Sequence, residues 1–243
     1  QIAKLKIKDN NLTIYRAPDL SVQMLADNAN IYGGYSNNSI WLGCPLIIHR
    51  RCQSPMFDIS NKIAYNNRMI NKTPGGNNLS ELVFPCSAWI DIKGKEKGNK
   101  DHSVEKQTEV IKDIVTHIKQ NKANANVFII TPFTTVNAKI KPIVKSSDIA
   151  SGTIHTFQGK EAEEVILVLG CDGSDSGKAA ANWVGQKPNI INVAVSRAKK
   201  RLIVIGNYDL WKNVGYVDEI CKQLCDYKFN SFEELLNQNF NEQ

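Results

Sequence analysis

The amino-acid sequence predicts an α/β fold in which a mostly parallel sheet lies between two layers of helices. Short, continuous apolar runs such as 127–130 and 165–169 alternate with segments whose apolar residues recur at helical spacing. Strands that are apolar on both faces are typical of parallel sheets covered on both sides. The chain has 243 residues, of which 42% are hydrophobic, and this suffices for a substantial core.

The elements follow in order along the chain. Strands are predicted where apolar or β-branched residues run together, at 45–48, 87–91, 127–130, 153–155, 165–169 and 202–205. Helices are predicted where apolar residues repeat every three or four positions, at 56–65, 104–118, 136–144, 190–199, 216–226 and 231–238. Pro142 is expected to end or bend its helix, because proline lacks the N–H that the helix needs. Residues 71–80 are predicted to form a loop, and 94–100 an exposed, mobile connection.

These elements assign residues 42–243 to one domain that ends in two helices. Residues 1–41 contain Asn-rich and Gly-containing stretches, and we interpret them as an N-terminal extension or linker from a preceding domain. The chain begins with Gln1 instead of Met, so we expect it to be a piece of a longer polypeptide.

Composition excludes several classes of protein. No run of about 18 apolar residues is present and no signal-peptide pattern begins the chain, so no membrane span or secretory signal is predicted. The six cysteines are mostly scattered among apolar residues, which is typical of reduced core thiols and predicts a cytoplasmic protein. Cys221 and Cys225 are close in sequence but have no His or second Cys pair nearby, so no metal site is predicted. The net charge of +6 is compatible with a polyanionic partner without requiring one.

One segment resembles a phosphate-binding loop. Residues 173–179 (GSDSGKA) follow an apolar strand, but three residues instead of four separate the glycines, and Ala179 has no hydroxyl for Mg²⁺. We interpret this segment as a flexible loop. The signatures H-E-x-x-H, G-x-S-x-G and C-x-x-C are absent from the sequence, which removes the common metalloprotease, hydrolase and dithiol classes.

Residues that follow the predicted strands are candidates for ligand binding, since open parallel sheets bind ligands outside the carboxyl ends of their strands. Arg50 and Arg51 follow the strand at 45–48, where their guanidinium groups could bind phosphate or form a solvated basic turn. Thr131 follows the strand at 127–130, where its hydroxyl could bind a phosphate or cap the next helix.

Two further segments gather polar residues densely. In 152–162 (GTIHTFQGKEA), glycine permits close approach of a ligand, and hydroxyl, amide and charged groups surround Gly159: Thr156, Gln158, Lys160 and Glu161. In 189–207 (NIINVAVSRAKKRLIVIGN), residues about one turn apart share a helix face: Asn192, Ser196, Arg197 and Lys200. Arg197 is expected to project toward the same edge of the sheet.

Taken in order, four segments resemble the C-terminal motor domain of superfamily 1 helicases. They are 49–65, 127–133, 152–170 and 189–207, and the last three are similar to helicase motifs IV, V and VI. The likeness covers about residues 42–211 and is nearest to the branch that includes the helicase of nonsense-mediated decay and a group of nuclease-helicases. It implies a RecA-like, P-loop NTPase-type three-layer fold, as the second of two such domains in one polypeptide.

The resemblance also implies roles for residues at the nucleotide. Arg51 and Arg197 would supply positive charge to the γ-phosphate of ATP. Glu161 would face the nucleotide, with Gly159 permitting close approach, and Gln158 would couple the nucleotide to the nucleic acid. Arg50 stands where the family often has an aromatic residue that stacks on adenine.

For the nucleic acid, the resemblance implies backbone contacts from Thr131, His155 and Thr156 to single-stranded DNA or RNA. Val136 stands where the family often has Gln. ATP and Mg²⁺ would be held mainly by the first RecA-like domain, whose phosphate loop and acidic residues are absent from this sequence. The chain alone is therefore expected not to hydrolyse ATP.

The function predicted on this basis is that of the C-terminal motor domain of an ATP-dependent DNA or RNA helicase. Two alternatives remain open at the level of sequence. The first is a non-catalytic module with a helicase-like fold that binds nucleic acid or protein. The second is a different P-loop enzyme, such as a nucleotide kinase that uses Gly173 to Lys178.

Overall fold

The computed structural model describes residues 22–35, 41–43, 47–75, 82–98, 100–122, 124–145 and 147–238. The chain divides into two compact units between Ile47 and Ile48, whereas the sequence predicts a domain boundary after residue 41. Among the described residues, no helix combines the length and the apolar character that a bilayer span requires.

The N-terminal unit contains helix α1 (Val22–Ala29) and two short antiparallel strands, β1 (Gly34–Tyr35) and β2 (Trp41–Leu42). The indole N–H of Trp41 donates to the main-chain oxygens of Asp27 at 2.9 Å and Asn30 at 3.2 Å. The Tyr35 and Trp41 rings pack edge to face at 5.2 Å. These contacts join the strand pair to the end of α1.

The second unit alternates strands and helices, as predicted. Its first elements are β3 (Ile48–His49), α2 (Met56–Ala64), β4 (Ile70–Asn71), β5 (Ala88–Asp91), α3 (Glu105–Asn121), β6 (Val127–Thr131) and α4 (Thr134–Val144). They are followed by β7 (Ala150–Thr153), a 3₁₀ helix (Ile154–Phe157), β8 (Ala162–Gly170), α5 (Asp175–Gly185), α6 (Pro188–Val195) and β9 (Ala198–Gly206). The last are α7 (Tyr208–Trp211), α8 (Val217–Gln223), a 3₁₀ helix (Cys225–Tyr227), β10 (Lys228–Phe229) and α9 (Phe232–Leu236).

Six of these strands form one sheet in the order β10–β5–β9–β8–β6–β7, and every neighbouring pair is parallel. Parallel strands are joined by right-handed crossovers, so the direction of each step across the sheet decides which face its helix covers. Helices α3 and α4 follow steps in one direction and pack together, whereas α5 and α6 follow the opposite step and lie on the other face. The three-layer α/β fold predicted from sequence is therefore present.

The core lies between the sheet and both helix layers. Strand β8 is buried along nearly its whole length, and Leu202 to Ile205 of β9 are fully buried. Two buried tryptophans, one in strand β5 and one in helix α7, hydrogen-bond to main-chain oxygens at the ends of neighbouring strands. The indole of Trp89 donates to the oxygen of Gly206 at 3.0 Å, and that of Trp211 donates to the oxygen of Gly170 at 3.4 Å.

The structure corrects the prediction that residues 173–179 form a flexible loop. Asp175 begins helix α5, which is not predicted from the sequence, and the hydroxyl of Ser174 caps it by accepting from the Gly177 N–H at 3.1 Å. The sequence does carry this signal, because a Ser N-cap precedes the helix-favouring residues 179–181. The short strands β4 and β10 were also missed, since two residues give no periodic pattern.

Four other features differ from prediction. The helix predicted at 190–199 ends at Val195, so Arg197 lies in a turn and Lys200 in a strand. The strand predicted at 153–155 ends at Thr153, and His155 belongs to the 3₁₀ helix. The predicted mobile connection at 94–100 is anchored by Glu96, whose side chain is 5% exposed and whose main chain pairs with Val104. Helix α4 continues past Pro142 to Val144, so the proline does not end the helix.

Candidate functional site

The predicted site residues lie at two opposite edges of the sheet. Thr131 and Thr153 pair with each other where β6 and β7 end, whereas Ala162 and Ala198 pair where β8 and β9 begin. Because these strands are parallel, Glu161 and Arg197 lie at the amino edge, and the residues after β6 and β7 lie at the carboxyl edge. The expectation that Arg197 projects toward the carboxyl edge is not met, because Arg197 immediately precedes the start of β9.

Residues 154–161 connect the two edges. This segment leaves the carboxyl end of β7 as a 3₁₀ helix, contacts β6 and α6, and reaches the amino end of β8. It contains five of the predicted site residues: His155, Thr156, Gln158, Gly159 and Glu161. The polar density seen in the sequence therefore belongs to one crossover that spans the sheet.

A cleft of about 510 Å³ opens at the amino edge. Four cationic side chains and two carboxylates line it, together with a short loop: Arg50, Arg51, Lys199, Lys200, Glu161, Glu163, Gln53, Thr73, Pro74 and Gly75. The cations outnumber the carboxylates, which gives the cleft the chemistry of an anion site. Lys199 and Lys200 were not predicted at this place, since the sequence pattern assigned them to the end of a helix.

An ion-pair network occupies the floor of this cleft. Nε of Arg51 lies 3.2 Å from Oε2 of Glu161, and Nζ of Lys199 lies 2.8 Å from Oε1 of the same carboxylate. The hydrogen bond from Lys199 holds the pKa of Glu161 below its ordinary value. The Arg51 side chain is 41% exposed, so its guanidinium can still reach a ligand.

The main chain around Arg51 is fixed to β9 and to the loop after β4. The N–H of Gln53 donates to the oxygen of Lys199 at 2.9 Å, and the hydroxyl of Thr73 donates to the oxygen of Cys52 at 3.0 Å. Strand β3, which precedes Arg50 and Arg51, pairs with β4 and is not part of the large sheet. Arg50 is exposed beside Arg51.

Arg197 is held differently, because the residue is almost completely buried at 6% exposure. Nη1 donates to the oxygens of Phe157 at 3.4 Å and Lys160 at 2.9 Å, and Nε donates to the oxygen of Val193 at 3.0 Å. Burial lowers the pKa of Arg197, as does the nearby charge of Arg51. Arg197 thus clamps the turn that carries Gln158 and Gly159.

Gly159 has a φ of +86°, which explains why this turn contains glycine. No atom lies within 4 Å of the position that a Cβ would occupy, so the requirement comes from the backbone and not from crowding. Gln158 is exposed at the same turn, and its N–H donates to the oxygen of His155 at 3.3 Å.

A groove of about 560 Å³ opens at the carboxyl edge. Its lining comes from the loops after β5, β6 and β7 and from α5: Lys100, His102, Pro132, Phe133, Thr134, Thr135, Thr153, His155, Ala180 and Trp183. His155 is exposed in this groove, as expected for a residue that contacts a ligand. The aromatic rings of Phe133 and Trp183 and the side chain of Lys100 were not singled out from the sequence.

Two of the predicted nucleic-acid contacts are not placed in this groove. Thr131 is fully buried, and its hydroxyl accepts from the N–H of Phe133 at 3.3 Å, so its side chain is not accessible to a ligand in this structure. Thr156 is exposed, and its hydroxyl is hydrogen-bonded to that of Thr153 at 3.0 Å. Thr131 shapes the turn into α4, and this local bond explains why a buried strand ends in threonine.

Glu96, His102 and Cys171 form a compact group beside the groove, with their potential ligand atoms all within 4.8 Å of one another. The carboxylate of Glu96 accepts from the His102 N–H at 3.0 Å and from the Asp172 N–H at 3.4 Å. Burial raises the pKa of the Cys171 thiol far above its ordinary value. The contacts of Glu96 within the chain show that the group ties the loop after β5 to the end of β8.

The segment that resembles a phosphate loop already has an acidic partner. The Ser174 N–H donates to Oδ1 of Asp172 at 2.9 Å, and the Ser174 hydroxyl also bonds this oxygen. A carboxylate therefore stands at the start of α5, where a phosphate loop would bind its anion. This arrangement speaks against a nucleotide kinase that uses Gly173 to Lys178.

Comparison with known proteins agrees with the fold. A family model described as an AAA domain matches residues 44–209, and the chain belongs to this family. Taken with the resemblance of its segments, the match identifies the chain as an AAA domain of the superfamily 1 helicase C-terminal type.

Two curated relatives are named as helicases. The chain is 21% identical over 196 residues to the DNA polymerase alpha-associated DNA helicase A of Saccharomyces cerevisiae. It is 26% identical over 200 residues to an uncharacterized ATP-dependent helicase of Methanocaldococcus jannaschii. Each alignment covers 73% of this chain and 28% of the relative, so the chain spans little more than a quarter of the length of the relatives that it matches.

Proposed function

We propose that this chain is the second RecA-like motor domain of an ATP-dependent helicase. It acts with an ATP-binding domain that precedes it in the same polypeptide, and it grips single-stranded DNA or RNA. The observation that carries the proposal is the crossover of residues 154–161, which joins a cationic cleft at one edge of the sheet to an open groove at the other. A motor domain needs a physical connection between the site that binds ATP and the site that binds nucleic acid.

The amino-edge cleft has the chemistry that the phosphates of ATP require. Arg51, Lys199 and Lys200 present positive charge there, and Glu161 offers an acceptor for a hydroxyl such as that of ribose. ATP supplies a γ-phosphoryl group whose transfer builds charge that guanidinium groups stabilise. Mg²⁺ would be held mainly by the preceding domain.

The two arginines differ in what they contribute. Arg51 is the accessible guanidinium, and exchanging Glu161 for phosphate oxygens would bring it to the nucleotide. Arg197 donates to main-chain oxygens in this conformation, so its first role is to position the turn at Gly159. Contact between Arg197 and the γ-phosphate would require it to leave Lys160.

The carboxyl-edge groove has the chemistry of a phosphate backbone site. Helix α4 begins at this groove and has no acidic residue in its first turn, so its free N–H groups can face an anion. His155 and Lys100 add side chains that can donate to phosphate oxygens.

The test is the ATPase activity of the polypeptide that contains both domains, with and without single-stranded DNA or RNA. We expect Arg51→Ala to lower stimulated turnover by about 10³-fold or more, as loss of an arginine finger does. Binding of a fluorescent ATP analogue should change much less. Lys222→Ala, which removes an exposed cation on α8, is the matched control and should retain full turnover.

Two outcomes would contradict the proposal. Normal turnover in Arg51→Ala would remove the arginine from the reaction. Salt-sensitive binding of single strands with no ATPase activity would favour the alternative of a non-catalytic binding module. Arg197→Lys separates positioning from charge, because lysine keeps the charge and loses the paired main-chain contacts.

A further inference from the structure

Trp183 is an exposed apolar residue that the core does not explain. The buried face of α5 consists of small residues and one valine: Gly177, Ala181, Val184 and Gly185. Trp183 lies outside this face, is 49% exposed, and lines the carboxyl-edge groove. The other two tryptophans of the second unit, Trp89 and Trp211, are fully buried, so Trp183 is the one available to a ligand.

The wall beside Trp183 is aromatic. The centroid of the Phe133 ring lies 6.4 Å from that of Trp183 with an interplanar angle of 38°, and the His102 ring lies 4.7 Å from Phe133. Phe133 is itself only 7% exposed, so it supports the wall while Trp183 presents the open surface. An indole held in this way offers a flat, preorganised face.

The polar groups of the groove indicate the kind of ligand. Lys100 contributes a positive charge, two histidines contribute ring nitrogens that can hydrogen-bond, and none of the described residues in the lining is acidic. The hydroxyls of Thr134 and Thr153 add polar groups that suit phosphate and sugar. A flat aromatic surface beside a lysine and hydroxyl groups, with no carboxylate in the described lining, is a combination that suits single-stranded nucleic acid through stacking of an unpaired base.

We propose that Trp183 stacks on an unpaired nucleobase and so makes the groove selective for single strands. The inference rests on the proposed function, because it assigns a base contact to the groove in which His155 and the start of α4 face the phosphates. Stacking on a face requires that the base be exposed, and in a duplex both faces are covered by neighbouring bases. The contact also carries no sequence preference, since every base has a π-face.

The test is fluorescence anisotropy with a labelled oligothymidylate of about 12 nucleotides, binding to the chain with its native sequence and to two variants. We expect Trp183→Ala to weaken binding by at least about fivefold, the low end of what base–aromatic stacking contributes. Trp183→Phe keeps an aromatic face and should retain most of the affinity. Tyr65→Ala, which removes a half-exposed aromatic ring outside the groove, is the matched control and should bind normally.

Two measurements keep the proposal testable if Trp183→Ala folds poorly. An oligonucleotide of the same length in which abasic sites replace the bases should bind the unaltered chain at least about fivefold less tightly. Tryptophan emission should be quenched by the intact strand, and Trp183→Phe should lose this quenching.

The outcomes separate this inference from the function on which it rests. The stacking role would be overturned if Trp183→Ala bound the strand as tightly as the unaltered chain does, or if the abasic strand bound as tightly as the intact one. If that binding were salt-sensitive, the motor proposal would still stand. Equally tight binding of a duplex would also overturn it. No binding of any single strand by the unaltered chain would overturn both.

Discussion

Glu164 is a buried carboxyl group whose titration should make the stability of the chain depend on pH. It is 1% exposed within β8, and it accepts from the N–H groups of Val83 at 2.7 Å and Phe84 at 2.9 Å. Burial raises its pKa from the ordinary value of 4.5 to about 7. Since the folded chain holds this proton more tightly than the unfolded chain, the contribution of Glu164 to stability is greatest below pH 4.5 and is lost as pH rises through 7.

The size of this effect follows from the two pKa values. Each pKa unit corresponds to about 1.4 kcal/mol, so the free energy of unfolding should fall by about 3 kcal/mol across the interval. Glu164→Gln cannot titrate and loses this decline, although its amide NH₂ faces one of the two N–H donors and costs one hydrogen bond. The variant should therefore gain about 3 kcal/mol relative to the native sequence between pH 4.5 and pH 7.5.

The assay is denaturant unfolding of both proteins at several pH values in this range. Asp209→Asn is the control, because Lys212 and Lys93 lower the pKa of Asp209 to about 2, outside the range tested. Its stability relative to the native sequence should not change with pH. A difference between Glu164→Gln and the native sequence that is constant from pH 4.5 to pH 7.5 would refute the assignment of this titration to Glu164.

Two further changes test the backbone and the core by denaturant unfolding. Gly159→Ala should lower the free energy of unfolding by about 1–2 kcal/mol, because its φ of +86° disfavours a Cβ. Gly98→Ala is the control, since this glycine has an open position and no positive φ, and it should not destabilise the chain. Equal effects of the two substitutions would contradict the role of backbone strain. Trp89→Ala should cost about 3–5 kcal/mol, because the indole is fully buried and hydrogen-bonded to Gly206; a loss below about 1 kcal/mol would show that this contact does not hold the sheet.

The sequence predicts the layers of the fold well because hydrophobic periodicity decides them. The continuous apolar runs of β6 and β8 and the helical pattern of α2 appear in the structure within a few residues of their predicted bounds. The position at which a helix ends is harder to predict when a following strand competes for the same residues. The helix after Pro188 ends at Val195 because the strand from Ala198 pairs with β8, and that pairing partner is 36 positions away at Ala162.

For the candidate site, the sequence indicates which residues lie near one another better than it indicates where in the fold they lie. Glu161 and Arg51 line one cleft and Arg197 is buried close to both. The rule for strand ends places Arg197 at the wrong edge, because it does not tell where a crossover segment leaves and re-enters the sheet. Thr131 shows a second limit. A hydroxyl at the end of a strand satisfies a local N–H as readily as it binds a ligand, and only the three-dimensional structure distinguishes the two.

The clamp of Arg197 on the crossover gives this domain a mechanical property. The guanidinium bonds the oxygens of Phe157 and Lys160, one at each side of the Gly159 turn, so that the turn and the buried arginine must move as a single piece. The 3₁₀ helix that carries His155 is the other end of the same piece. Because the arginine joins both sides of the turn, we expect a displacement of Arg197 to move the segment that carries His155, and so to link a change at one edge of the sheet to the other.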